Sequence, residues 1–231
     1  MNNILNNLEL ENIDELKLIF DKNKKLKIKN FLRIEIAEAI YKQANLNKNW
    51  VLSSGINKNK YEKVDNSLNQ KANLLQVKNV NSSFGNDQFS YIFYRGMNAS
   101  NMSYLEFTLR QNLSSPQFIE TLNKITGLKL TTLTTLFLSK YTAGSFLSPH
   151  SDNGNGTLAF VLNLTKFWKP QYGGILHFTN EDRNEIIESY IPGFNNFMIF
   201  YVPENKGIPH FVSHVSPNVK FPRFAVSGWF Y

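Results

Sequence analysis

The second half of the chain alternates short apolar runs with turn residues. "TTLTTLFLSKYT", "TLAFVLNL", "GILHFT", "EIIESYIP", "NNFMIFYVP", "HFVSHVSP" and "RFAVSGWFY" follow one another from Thr131 to Tyr231, most of them separated by Gly, Pro, Asn or Asp. Short runs rich in β-branched and aromatic residues read as strands, and several at close spacing predict a sandwich, barrel or jelly roll. The first half has a different period. In "LRIEIAEAIYKQAN", Ile34, Ile36, Ala37, Ile40 and Tyr41 fall at near-helical spacing, which predicts an amphipathic helix. "NMSYLEFTLRQNLSS" and "SPQFIETLNKITG" predict two more, with Ser115-Pro116 starting the second and Gly127 stopping it. "FSYIFYRG" between them is aromatic and alternating, and predicts a strand. Residues 54–86, rich in Asn, Lys and Ser, predict a long loop or an edge hairpin. No internal repeat or low-complexity linker interrupts the chain. The expectation is therefore one domain over residues 1–231, of α+β class but mainly β. Residues 131–231 form a jelly-roll core and residues 1–130 a helical and mixed support packed on it.

Composition agrees with a globular β-rich domain. Of 231 residues 42% are hydrophobic, enough to bury a core, and 14% are aromatic, including 19 Phe and 10 Tyr, which favours strands. The absence of cysteine excludes disulfides, zinc–thiolate sites, iron–sulfur clusters and thiol catalysis. Any metal must then be held by His, Asp, Glu or backbone oxygen. The opening "MNNILNNLELENIDELKLIF" has neither the basic start nor the long apolar run of a secretory signal. No run approaches the roughly 18 apolar residues of a membrane span. A soluble, cytoplasmic protein is expected. The net charge of +7 comes from lysines interspersed with asparagine, as in "DKNKKLKIKN" and "INKNKYEKVDN". That mixture reads as solvated surface, so no nucleic-acid partner is expected.

The chain has four histidines, His150, His177, His210 and His214, all in the β-rich half. In "FLSPHSDNGNGTLAFVLNL", His150 and Asp152 stand two apart beside a glycine-rich turn. Taken alone, such a pair reads as a solvated polar loop before a strand. His210, on the distant run "PHFVSHVSP", supplies a third candidate. Two imidazoles and one carboxylate can occupy one face of an octahedral metal and leave the other positions open, the facial triad of non-haem Fe(II) oxygenases. Arg223 opens the last strand-like run, and an arginine pointing into a barrel is costly unless paired. Its planar fork suits a carboxylate, so an acidic cosubstrate would supply the partner. In "KPQYGGILHF", Gly173-Gly174 marks a tight turn or close backbone approach.

These segments together resemble the prolyl-hydroxylase-type Fe(II)/2-oxoglutarate dioxygenases. The resemblance runs from "KIKNFLRIEIAEAIY" through "LSKYTAGSFLSPHSD" and "LAFVLNLTKFWKPQYGGILHF" to "HFVSHVSPNVKFPRFAVSGWF". Its ordered set of H-x-D, G-G-x-L, H-x-V-x-x-V and R-x-x-x-S-G-W covers most of the chain beyond about residue 25. Within the family it is most similar to the branch of intracellular prolyl hydroxylases that act on a ribosomal protein, whose substrate is not carried over. The resemblance implies a double-stranded β-helix core. It implies that His150, Asp152 and His210 bind Fe(II), that Arg223 binds the distal carboxylate of 2-oxoglutarate, and that Tyr141 hydrogen-bonds that cosubstrate. Related members often carry a tyrosine at the position of Asn163, and an asparagine there can still donate a hydrogen bond. Dioxygen completes the cofactor set, and ascorbate as an auxiliary reductant is compatible with it. The reaction implied is oxidative decarboxylation of 2-oxoglutarate coupled to hydroxylation of a carbon. A prolyl residue of a protein or peptide, or a free amino acid, is the substrate class. The carboxylate of Asp152 favours hydroxylation over the halogenation of relatives with a small residue there.

Several residues remain open. His214 rivals His210, since four positions apart on a strand they share a face, but H-x-V-x-x-V selects His210 and leaves His214 a rim or surface residue. His177 is read as structural or as part of the pocket mouth, Trp229 and Phe230 as core, and Trp168 as packing or substrate contact. A nucleic-acid dealkylase of the same chemistry is one rival. AlkB-type enzymes, however, carry a second arginine six residues after the first, where this chain has Trp229. A non-catalytic cupin-like metal-binding domain is the other rival. Oligomeric state is left open.

Overall fold

The computed structural model describes residues 4–6, 13–47, 50–57, 70–96, 104–204 and 207–231. In chain order these form α1 (Ile13–Asn23), β1 (Lys25–Ile28), α2 (Ile34–Leu46), β2 (Trp50–Ile56), α3 (Gln70–Gly85), β3 (Ser90–Gly96), α4 (Tyr104–Leu113) and α5 (Pro116–Thr126). Then come β4 (Leu133–Tyr141), β5 (Phe146–His150), β6 (Leu158–Asn163), β7 (Leu176–Thr179), β8 (Ile186–Tyr190), β9 (Asn196–Tyr201), β10 (His210–Val212) and β11 (Arg223–Phe230). The strands join in one curled antiparallel sheet, in the order β1-β9-β6-β11-β4-β3-β5-β10-β7-β8, with β2 alongside β3. The curl turns at β3. One end pairs with β4 through Tyr94↔Lys140, and the other pairs with β5 through Tyr91↔Leu147. The strands from β1 to β4 thus form a broad face and those from β5 to β8 a smaller one folded over it. This is the expected jelly-roll core with helices against it.

Strand parity divides the core in two, because alternate side chains point to opposite faces. On the outer side of the broad face, Phe160, Leu162, Phe197, Ile199, Phe224 and Val226 pack beneath the helices. Helix α5 lies there for reasons visible in its own residues. The Ser115 hydroxyl accepts from the Phe118 N–H, Pro116 opens the helix, and Gly127 ends it at φ +69°. Its apolar stripe of Phe118, Ile119, Leu122 and Ile125 is buried, with Phe118 edge-on to Phe31 at 5.8 Å. Helix α2 buries Ala37, Ile40 and Ala44 in the same way. On the inner side, Tyr91, Phe93, Tyr141, Phe178, Met198 and Phe200 form a second cluster. They wall the space enclosed by the curl.

The expectation for residues 54–86 was wrong in kind. Residues up to Ile56 complete β2, Gln70–Gly85 form the helix α3, and residues 58–69 lie outside the described part. The Asn- and Ser-rich sequence of α3 has weak helix propensity. Val80, fully buried against Leu52, Ile92 and Phe146, supplies the tertiary contact that overrides it. Helix α1 and strands β1 and β2 were not foreseen either. In β1 the apolar Leu26 and Ile28 alternate with lysines, a two-residue signal too short to stand out until β9 pairs with it. The run "HFVSHVSP" yields only three strand residues, ending at Val212.

Asn195 pins the helical region to the sheet. It holds φ +58°, is 1% exposed, and its side chain bonds both backbone groups of Leu32, accepting from its N–H at 2.8 Å and donating to its carbonyl at 2.7 Å. Removing that amide strands two buried backbone groups, each worth about 1–3 kcal/mol. Asn195→Ala is therefore expected to lower stability by about 2–4 kcal/mol. A lowered urea midpoint at unchanged m-value checks it.

Candidate metal and cosubstrate site

His150 ends β5, and β10 pairs with β5 so that His210 lies directly opposite His150. Cross-strand partners project side chains to the same face. Asp152, two residues past His150, keeps that side of the chain. Register therefore brings the three groups together, and their ligand atoms lie within 4.8 Å of one another with all three residues buried. Each imidazole is oriented from behind. The Nδ1 of His150 lies 3.0 Å from the Ser148 carbonyl, and that of His210 lies 2.9 Å from the Ile208 carbonyl. A carbonyl only accepts, so Nδ1 carries the proton and Nε2 is the atom turned to the cluster. Such backbone partners are the usual means of orienting metal-binding histidines.

Electrostatics favours a cation between them. The Nε2 of His150 lies 3.2 Å from one Asp152 oxygen and that of His210 3.4 Å from the other. Burial pushes the pKa of His150 down, with the field of His210 adding to it, so the ring resists protonation. Burial also opposes ionisation of Asp152, but the charge of His210 and the hydrogen bonds from both histidines outweigh it and hold the carboxyl well below the usual range. A buried carboxylate that stays ionised beside an imidazole that resists protonation carries negative charge for a cation to meet. The donor set of two imidazoles and one hard carboxylate fits Fe(II).

Trp229 serves this cluster, a part the sequence reading did not give it. Its indole N–H donates to the second oxygen of Asp152 at 3.2 Å. The signal was strand parity. Trp229 shares its face of β11 with Arg223, six residues away, whereas Phe230 points to the helix side and is fully buried.

Arg223 lies deeper, 3% exposed, with Tyr141 as its cross-strand partner. Its guanidinium sits 4.9 Å from the centre of the Tyr141 ring. One terminal N–H donates to the side-chain oxygen of Asn163 at 3.1 Å, while Nε, also buried, has no hydrogen-bond partner among the described residues. Asn163 pairs with Ala225, the residue two along from Arg223, and so reaches the arginine diagonally. Burial raises the pKa of Tyr141 to about 12 against the opposing fields of Arg223 and Arg95, so its hydroxyl keeps its proton. A buried arginine bonded only to a neutral amide is costly, and an anion would complete it.

A single cavity of about 90 Å³ joins the cluster to this arginine. At roughly 10–15 Å³ per water it holds more than one solvent molecule. His150, Asp152, His210, Tyr141, Arg223 and Trp229 all line it, as do Phe93, Arg95 and Phe137. Asn163 does not line it. His214 lies past the end of β10, is exposed, and stacks on Phe146 at 4.1 Å on the far side of the strand. His177 bonds Ser189 and stacks on Phe211, away from the cavity. Trp168 is buried, donates to the Gly173 carbonyl at 2.8 Å and packs on Tyr172 and Phe221. Gly173 and Gly174 hold φ +69° and +62°, and a Cβ on Gly173 would meet the His214 carbonyl oxygen at 1.9 Å. The pair thus allows the close backbone approach that seats β10.

Residues 136–231 match the model of the 2OG-Fe(II) oxygenase superfamily, a stretch that carries every group of this site except those on β3. Over that stretch the chain is similar to the 2OG-Fe(II) oxygenases. Among solved structures, the chain resembles a Pseudomonas putida prolyl-4-hydroxylase at 15% identity and TM-score 0.61, covering 95% of this chain and 98% of that one. It also resembles a Trichoplax adhaerens prolyl hydroxylase, solved with a hypoxia inducible factor peptide fragment, at 17% identity and TM-score 0.64, covering 97% and 94%. A Burkholderia pseudomallei 2OG-Fe(II) oxygenase family oxidoreductase aligns at 14% identity and TM-score 0.58, covering 98% and 92%. At these identities the likeness is one of fold. No curated protein matches the sequence. Among the described residues, no helix is long and apolar enough to cross a membrane.

Two outcomes are expected from metal titration with Mn(II) as a redox-inert probe. At a hundredfold excess over Kd it should raise the melting temperature by about 5–10 °C. His150→Ala, Asp152→Ala and His210→Ala should each lose that rise, while His214→Ala keeps it. Trp229→Phe, which removes the indole N–H while keeping an aromatic ring, should weaken Mn(II) binding about tenfold, read by calorimetry.

Proposed function

We propose that this protein is a 2OG-Fe(II) oxygenase that hydroxylates an unactivated carbon, either of a prolyl residue in a protein or peptide or of a free amino acid, at the expense of 2-oxoglutarate. The observation that carries the proposal is one cavity joining the three-donor cluster to a buried arginine whose Nε–H is unmet. In this reading Fe(II) is held by Nε2 of His150, the carboxylate of Asp152 and Nε2 of His210. When bound, Fe(II) and 2-oxoglutarate supply the oxidising chemistry: the 2-oxo acid is decarboxylated to succinate, and one atom of dioxygen enters a substrate C–H bond.

The protein's part is positioning. Arg223 receives the distal carboxylate of the cosubstrate through its planar fork. Tyr141, protonated at neutral pH, donates its hydroxyl to the same ligand. Asn163 acts one step away, by fixing the guanidinium it accepts from. Trp229 holds the carboxylate of Asp152 in one rotamer, and the apolar wall of Phe93, Phe137 and Val212 keeps bulk water from the reacting carbon. The N-terminal helices support this core as part of one domain. The prolyl hydroxylases of like fold make peptidyl proline the first substrate to test.

Anaerobically reconstituted protein, given Fe(II), dioxygen and 2-oxoglutarate, should form succinate, and Arg223→Ala should raise the KM for 2-oxoglutarate about 10–100-fold. An unchanged KM removes the role of Arg223. Failure of the wild-type protein to bind either Mn(II) or 2-oxoglutarate removes the dioxygenase reading itself.

A further inference from the structure

The ladder that sets His150 against His210 is not regular. Leu147 of β5 pairs with Val212 of β10, and His150 pairs with His210. Three steps along β5 match two along β10, so β5 carries a bulge at Ser148-Pro149. Proline suits such a place, having no N–H to give to a ladder. The bulge decides where His150 points. Leu147 packs on the inner cluster, while Phe146 packs with Val80 of α3 on the other side. Strict alternation from Leu147 would turn His150 to that outer side. The extra residue returns it to the inner face, beside His210. A bulge interrupts its own ladder, so contacts from elsewhere must hold it. Buried Ser148 makes two. β3 pairs with β5 through Ile92↔Phe146 and Tyr91↔Leu147, and the ladder stops there. At that point the Ser90 N–H donates to the Ser148 hydroxyl oxygen, at 2.8 Å and away from water. The carbonyl of the same serine faces the Nδ1 of His150 at 3.0 Å. On the solvent side, the exposed Arg183 donates to the Pro149 carbonyl at 3.3 Å.

We infer that Ser148 is a positioning residue for the metal site: its hydroxyl ties the bulge to β3, and its carbonyl sets the ring of His150. Both groups belong to one residue, so the tie to Ser90 fixes the carbonyl, and the carbonyl fixes Nδ1. With the proton held on Nδ1, Nε2 presents its lone pair to the cluster. Removing the hydroxyl leaves the buried Ser90 N–H without its acceptor and frees the bulge. A bulge that moves by one residue turns His150 to the outer side, because side chains alternate along a strand. The metal site is then lost although His150, Asp152 and His210 are all still in the chain. Ser148 thus does for His150 what Trp229 does for Asp152. The inference rests on the proposed Fe(II) site and adds to it a residue that is not a ligand.

The test uses the full chain, with Mn(II) as the probe of affinity by calorimetry and saturating Zn(II) as a diamagnetic probe for nitrogen-15 NMR of the histidine rings. Zn(II)-loaded wild-type protein is expected to show a slowly exchanging Nδ1–H on His150 and another on His210. Ser148→Ala should weaken Mn(II) binding about tenfold and lose the His150 signal while keeping that of His210. Ser148→Cys, with a sulfur of similar size that accepts poorly, should do the same. Ser148→Thr keeps the hydroxyl and should hold the affinity to within about threefold of wild type. Asn195→Ala, destabilised away from the metal cluster, should bind Mn(II) as wild type does. Ser148→Ala that binds Mn(II) as tightly as wild type overturns the inference, as does a His150 Nδ1–H that persists in it. An equal loss of affinity in Asn195→Ala also overturns it, by making the effect one of stability. If Ser148→Ala does not fold, Ser148→Cys carries the comparison. The wild-type spectrum decides as well, since a His150 ring without a protected Nδ1–H has no tie to Ser148. A wild-type protein that takes up neither metal removes the proposed iron site, and the role of Ser148 with it.

Discussion

The pairing of β5 with β10 is the constraint on which the site depends. Both strands are short, and β10 keeps only three residues in the ladder. They set His210 opposite His150 and so bring those two imidazoles together. Side-chain direction alternates with each residue, so a slip of one position would turn His210 outward and break the cluster. The fold protects this register from several sides. Strand β7 pairs along the other edge of β10, the Gly173-Gly174 turn lets the backbone after β10 approach closely, and the Ile208 carbonyl fixes the His210 ring. The stretch around these strands is built for position more than for burial.

The charges within the curl follow one logic. Burying a charge is expensive unless a partner meets it. Asp152 is met by two imidazoles and an indole N–H. Arg223 is met by one amide oxygen and an aromatic face, which leaves the enclosed end of the cavity cationic. The cavity thus has a demand for a cation at one place and for an anion at another, within a single apolar wall. Residual stability is given up at both places to hold binding groups ready, the common exchange at functional sites.

Local signals were legible where the chemistry of a few neighbouring residues decides the structure. Helix α5 carries its start at Ser115-Pro116 and its stop at Gly127, because capping and left-handed φ are properties of those residues themselves. The strands of the second half were legible for the same reason, since alternation and turn residues are local. Helix α3 was not, because its polar sequence is made helical by Val80 docking on residues from β2, β3 and β5. Nor was β1, whose two buried residues gain meaning only beside β9.

By itself the sequence determined the donor chemistry. A chain without cysteine and with four histidines restricts the charged and imidazole side-chain donors of a metal site to histidine and carboxylate, and the spacing of His150 and Asp152 supplies two donors in one stretch. It also fixed the parity of the last strand, which carries Arg223. The motif H-x-V-x-x-V selected His210 over His214, and the tertiary structure supplies the physical reason. His210 and His214 share one short run, and the strand ends between them, at Val212. It alone turned Trp229 from a filler of the core into a hydrogen-bond donor to Asp152, and Asn163 into the partner of Arg223. The physical reason is the same in each case. Which residues face each other across a sheet depends on hydrogen-bond register between strands distant in sequence, and no local pattern carries that information.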